Sequence, residues 1–101
     1  MTLFAFLCRD AAGGASLRER LLKDHLAYIE TVMANIAVAG PLKEGDTTVG
    51  SLLIIKAETE EEARATFEGD PYFANGVWKS IEVNHFLGVA GDWVGGTAWR
   101  N

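Results

Sequence analysis

Apolar and polar positions alternate along the chain with two different periods, and the changes between them delimit the elements. The opening TLFAFLC (2–8) is a continuous apolar run closed by RDAAGG, the pattern of a buried strand giving way to a loop. In ASLRERLLKDHLAYIETVMANIAVA (15–39), Leu22, Leu26, Ile29, Met33 and Ile36 recur at spacings of four and three, which predicts one face of a long helix. Ser16 with Glu19 fits a capping box at its start, and Gly40-Pro41 supplies its stop. GPLKEGDTT leaves room for a brief edge strand, and VGSLLIIKA (49–57) is a strand. Thr59 with Glu62 repeats the capping pattern ahead of EEEARATFEG, a shorter helix. KSIEVNHFLGV (79–89) alternates Ile81, Val83, His85 and Leu87 with Ser80, Glu82 and Asn84, a half-buried strand that places His85 in the core.

The order strand, long helix, strand pair, short helix, strand predicts an α+β fold of the ferredoxin-like βαββαβ type, with four antiparallel strands and helices on one face. The central strand is apolar on both sides: Val49, Leu53 and Ile55 on one, Leu52 and Ile54 on the other. Helices cover a single face, and soluble monomers rarely expose a large apolar patch. The second face is therefore expected to pack on another copy of the chain, giving a homodimer of the dimeric α+β barrel kind. The whole, 1–101, is expected to form a single domain with its core in about 2–89 and a tail in 90–101. Trp93 and Trp99 lie among glycines in that tail, and Trp93 at least is expected to pack on the body or on the partner.

Composition narrows the partners. A chain of 101 residues, 49% apolar, is long enough for one real core. A net charge of −5 with dispersed basic residues argues against nucleic acid and against anionic membrane surfaces, since both need clustered Lys and Arg. The start MTLFAFLCRD has too short an apolar run for a membrane span and no basic leader, and the lone Cys8 suits a reducing compartment, so a cytoplasmic location is expected. Two histidines and one cysteine, far apart in sequence, offer no metal-ligand spacing, and neither AAGGAS nor WVGGTAW has the pattern of a phosphate loop. No metal or organic cofactor is expected. Cys8 at a strand end is more simply a small buried hydrophobe than a nucleophile.

Two residues carry candidate chemistry, and each has an ordinary reading. His25 stands at the border of the apolar stripe, two helical turns after Arg18, where a boundary histidine is unremarkable. Asp70 in GDPYFANG (69–76) precedes Pro71, and Asp at the N-cap with Pro at the first helical position is a sufficient helix start. A carboxylate has two oxygens, however, so Asp70 can cap a short helix and orient an imidazole at once.

HLAYIE on the long helix, AGPL after it, VGSLLIIKAET as central strand and DPYFANGVWKSIEV near the end resemble, in that order and spacing, the YciI-like (YCII-related) family. The resemblance runs from about Leu3 to Val83; its most specific elements are the His of HLAY and the Asp of DPY, with Arg18 and the RD after the first strand before them. Many members have Ala-Gly where this chain has Asn75-Gly76, and the tail lies beyond the match. The family's members form dimeric α+β barrels, and a paired His and Asp is their proposed active site. That implies His25 and Asp70 as a catalytic dyad: His25 as general acid or base, Asp70 fixing its tautomer and stabilising the imidazolium. Arg18, Ser51 and Tyr72 would hold an anionic or hydroxylated small substrate. The expected activity is cofactor-independent elimination or isomerisation of a small aromatic or enolic compound; the rival expectation is a non-catalytic ligand-binding or regulatory module.

Overall fold

A computed structural model describes residues 2–97. In chain order the elements are strand β1 (Thr2–Asp10), helix α1 (Gly14–Thr31), a 3₁₀ turn (Met33–Asn35), strands β2 (Ile36–Glu44) and β3 (Thr47–Ala57), helices α2 (Glu60–Glu68) and α3 (Pro71–Ala74), and strand β4 (Trp78–Phe86). A small hairpin follows, with strands β5 (Ala90–Gly91) and β6 (Gly96–Thr97). The main sheet has the order β2-β3-β1-β4 with every pair antiparallel, the ferredoxin-like arrangement of the expected βαββαβ fold.

Alternation along β1 and β3 builds the core. Phe4, Phe6 and Cys8 face the same side as Leu53, Ile55 and Ala57, and Ala63 and Phe67 of α2 close over them with Leu17, Leu21 and Ile29 of α1. Phe67 stacks on both Phe6 and Trp78, with centroids 4.5 and 5.2 Å apart. The other side of the sheet carries Leu3, Ala5, Leu7, Leu52 and Ile54, which are only half-buried within one chain.

Several expectations about the elements need correction. Helix α1 begins at Gly14, with Gly13 as N-cap in the left-handed region at φ 83° and no side-chain cap. Glycine tolerates that conformation, so the backbone turn starts the helix and the Ser16–Glu19 pair falls inside its first turns. Nor does α1 run to Gly40: it stops at Thr31, and IAVAGPLKE becomes the nine-residue edge strand β2. Val32, Ile36 and Val38 are β-branched, and the ladder to β3 from Ile36 to Glu44 outweighs the helical period that continues through Ile36. The apolar stripe on α1 is also rotated from the predicted one. Leu22 and Leu26 are about half exposed, at 48% and 51%, while Leu17, Leu21 and Ile29 meet the core.

His85 lies on the helix side of the sheet beside Phe4, with ring centroids 5.9 Å apart, but at the end of edge strand β4 it is exposed rather than core. Trp93 is 85% exposed and does not pack on the body of its own chain. Trp99 lies outside the described residues. The caps at Thr59 and Asp70 form as the sequence predicts: Thr59 Oγ1 accepts from the Glu62 amide, and Asp70 from the Tyr72 amide with Pro71 opening α3.

Candidate active site

The junction between α2 and α3 faces the middle of α1, and side chains of α1 fix it there. The Tyr28 hydroxyl donates to the Thr66 carbonyl at 2.7 Å, across a point where Gly69 has no side chain to obstruct it; a Cβ at residue 69 would overlap the Tyr28 hydroxyl. One turn earlier on α1, His25 Nδ1 lies 2.8 Å from Asp70 Oδ1. The same Oδ1 accepts the Tyr72 amide at 2.9 Å. An ionised carboxylate only accepts, so Nδ1 carries the proton and the neutral ring keeps its lone pair on Nε2.

Tyr72 completes the mount of the histidine. Its ring stacks on the imidazole with centroids 3.8 Å apart and planes within 2°. Its hydroxyl donates to the Arg18 carbonyl at 3.3 Å, and the Arg18 guanidinium lies 5.3 Å from the ring centre. Burial raises the Tyr72 phenol above its usual pKa, with Arg18 opposing the shift, so it remains a neutral donor. Asp70 is 1% exposed, and its Oδ2 is buried with no partner among the described residues.

Arg18 is held equally firmly. Nε and Nη2 each donate to Asp10, at 2.8 Å, in a two-point fork, and Nη2 also reaches the Gly50 carbonyl at 2.9 Å and Ser51 Oγ at 2.8 Å. His25, Arg18, Ser51 and Tyr72 together line a cavity of about 270 Å³. Leu22, Leu26 and Ile29 of α1 form one wall, and Ala39 and Pro41 of β2 contribute another. The half-exposed leucines of α1 are therefore cavity wall, which explains why they are apolar without being core.

Of the five residues singled out from the sequence, four line one cavity, and Asp70 lies buried behind His25. Asp10 and Trp78 were given no role there. The RD after the first strand, among the specific elements of the family resemblance, was the available signal for the first; the lining role of Trp78, at the start of β4, had none in the local pattern. Cys8 is fully buried and does not line the cavity, and burial pushes its thiol up to about 12, so it has no nucleophilic character at neutral pH. Among the described residues no group of three or more His, Cys, Asp or Glu side chains could hold a metal ion, and no helix is long and apolar enough to cross a membrane.

Protein YciI of Escherichia coli O6:H1 is 28% identical over 96 residues, covering 86% of this chain and 98% of that protein, and Protein YciI of Shigella flexneri matches with the same figures. The solved structure of 5-chloro-2-hydroxyhydroquinone dehydrochlorinase from Burkholderia phenoliruptrix, in complex with 2,5-dihydroxybenzoquinone, is similar with a TM-score of 0.77 at 30% identity, covering 89% of this chain and 96% of that one. The sequence profile of the YCII-related domain matches residues 2–87, and the chain belongs to that family.

Proposed function

We propose that this protein is a small-molecule enzyme in which His25 acts as general base and then general acid, with Asp70 as its orienting carboxylate. The observation that carries the reading is the 2.8 Å contact from His25 Nδ1 to a buried carboxylate at the wall of a cavity. His25 Nε2 takes a proton from a substrate C–H or O–H, and the freed electron pair either expels a leaving group or moves the double bond. The imidazolium, stabilised by Asp70, returns the proton to the leaving group or to another substrate atom. The work needs no group beyond the chain's own residues. A base of this type contributes roughly 10²–10⁴-fold to a rate.

The dehydrochlorinase similarity supports elimination as the reaction type and a small oxygenated ring as the substrate class. At about 270 Å³ the cavity lies just under the roughly 300–1,000 Å³ typical of drug-sized ligands, which fits a one-ring compound. Apolar walls would hold the ring, while Arg18 and Ser51 would meet its oxygens. Two further parts of the proposal concern context. The half-buried Leu3, Ala5, Leu7, Leu52 and Ile54 would close against a second copy, and the exposed Trp93 would meet that partner. A free thiol at Cys8 suits the cytoplasm.

The test is a thermal-shift screen of phenols, lactones and haloaromatics, with 5-chloro-2-hydroxyhydroquinone included, followed by turnover assays on each hit, with chloride release measured for the halogenated ones. The proposal predicts turnover that His25→Gln abolishes. Binding without turnover across the hits would instead favour the ligand-binding module.

A further inference from the structure

Asp10 claims the guanidinium edge that an arginine would otherwise offer to a carboxylate. Its two oxygens accept from Nε and Nη2, the geometry of a complete fork-to-fork pair, and the two side chains are only 11% and 14% exposed. Nη2 is further shared with the Gly50 carbonyl and Ser51 Oγ. Among the described residues Nη1 has no acceptor, and it is not one of the sealed, unpartnered atoms. Because arginine only donates, Ser51 Oγ must accept from it, which leaves the Ser51 hydroxyl proton to donate elsewhere. Arg18 and Ser51 both line the cavity. The polar floor therefore offers donors, but Arg18, the one arginine or lysine among its described lining residues, is already paired with Asp10, and Asp70 adds a second carboxylate behind His25.

From this we infer that Asp10 is a specificity-determining residue: by neutralising Arg18 it makes the cavity select neutral ligands with an acceptor oxygen and reject carboxylates. This rests on the reading of the cavity as the substrate site. A bound carboxylate would compete with Asp10 for one fork and face the charge of Asp70 without a cation of its own, and such an unpaired buried charge is costly. A carbonyl or hydroxyl oxygen needs only the Ser51 hydroxyl and Arg18 Nη1, both held in place by the Asp10 fork and the Arg18–Ser51 contact. Selection here comes as much from what the site refuses as from what it binds.

Benzamide and benzoate test the inference, since they share a shape and differ in charge at pH 7. Calorimetry on the wild-type protein should show benzamide binding at least tenfold more tightly. Equal affinities, a preference for benzoate, or no binding of either would overturn the inference. In Asp10→Asn the freed fork should raise benzoate affinity at least tenfold, and a folded variant with unchanged preference would overturn it as well. Asp10→Ser, smaller and still able to accept from Arg18, serves if the asparagine variant does not fold, with the same expected gain; should neither fold, the wild-type comparison decides. His25→Gln should keep the preference for benzamide. The inference thus stands or falls separately from catalysis: a lost turnover with retained selection counts against neither, whereas retained turnover in His25→Gln overturns the dyad alone.

Discussion

Asp70 holds two donors on one oxygen and, among the described residues, none on the other. A cap alone would use only the Tyr72 amide, yet here the buried carboxylate also holds His25 on the same oxygen. Tyr72 binds that carboxylate through its backbone and the imidazole through its ring, so a single turn, Asp70 to Tyr72, sets both the tautomer and the plane of the base. Tyr72→Phe keeps the ring and should leave kcat within about threefold, whereas Tyr72→Leu removes the stack and should lower kcat by roughly tenfold, a fraction of the roughly 10²–10⁴ that a positioned acid–base group contributes. Nitrogen NMR of the His25 side chain checks that the cause is positional: the Nδ1–H tautomer should persist in the phenylalanine variant and be mixed in the leucine one. In the core beneath the site, opposite Ser51 in the sheet, the Cys8 thiol is pushed up to about 12 by burial, so the folded chain keeps its proton while the unfolded chain loses it from about 9 upward. The folded state then binds more protons, and stability should fall as pH rises from about 9 toward 12, by up to ~1.4 kcal/mol per pH unit. Urea titrations between pH 7 and 10 should show that decline in the wild type and a flatter one in Cys8→Ala, whatever that variant loses at pH 7.

Among the elements, what could be read in the sequence followed from local chemistry, and what could not was decided by pairing at a distance. Thr59 and Asp70 are caps because their side chains meet amides two or three residues away, which any local pattern records. The end of α1 is different. Its apolar period continues through Met33 and Ile36, and only the ladder to β3 converts that stretch to strand. The rotated stripe has the same origin, since Leu22 and Leu26 repeat like core residues but serve a cavity that no local pattern reveals. His25 and Asp70, forty-five positions apart, were legible only through the family resemblance; periodicity gave each an ordinary role. Gly69 tests how α1 and the α2–α3 junction are clamped. In Gly69→Ala the new methyl would collide with the Tyr28 hydroxyl, so the junction should shift and stability drop by about 1–3 kcal/mol, the usual cost of overpacking. Chemical denaturation measures the loss, and since the methyl also meets the Tyr28 ring carbons, a Gly69→Ala/Tyr28→Ala double variant that loses less than the sum of the two single variants would tie it to that contact.

For the whole molecule, one face of the sheet is covered by α1 and α2 and the other is left half-buried, so the proposal assigns a second copy to it. Interfaces of obligate dimers commonly bury about 2,000 Å² or more in total. Leu52→Glu or Ile54→Glu should convert the dimer to monomer or unfolded chain in sedimentation at micromolar concentration, and a monomeric wild type would contradict the assignment. The central claim, that the dyad is a working acid–base unit, is tested most directly by kcat in Asp70→Asn. Asparagine caps a helix about as well as aspartate, so the thermal midpoint should stay near that of the wild type. It removes the charge that steadies the imidazolium, so on any substrate the wild type turns over, kcat should fall by roughly 10²–10⁴. A folded Asp70→Asn protein with wild-type kcat would contradict the account and reduce Asp70 to a cap.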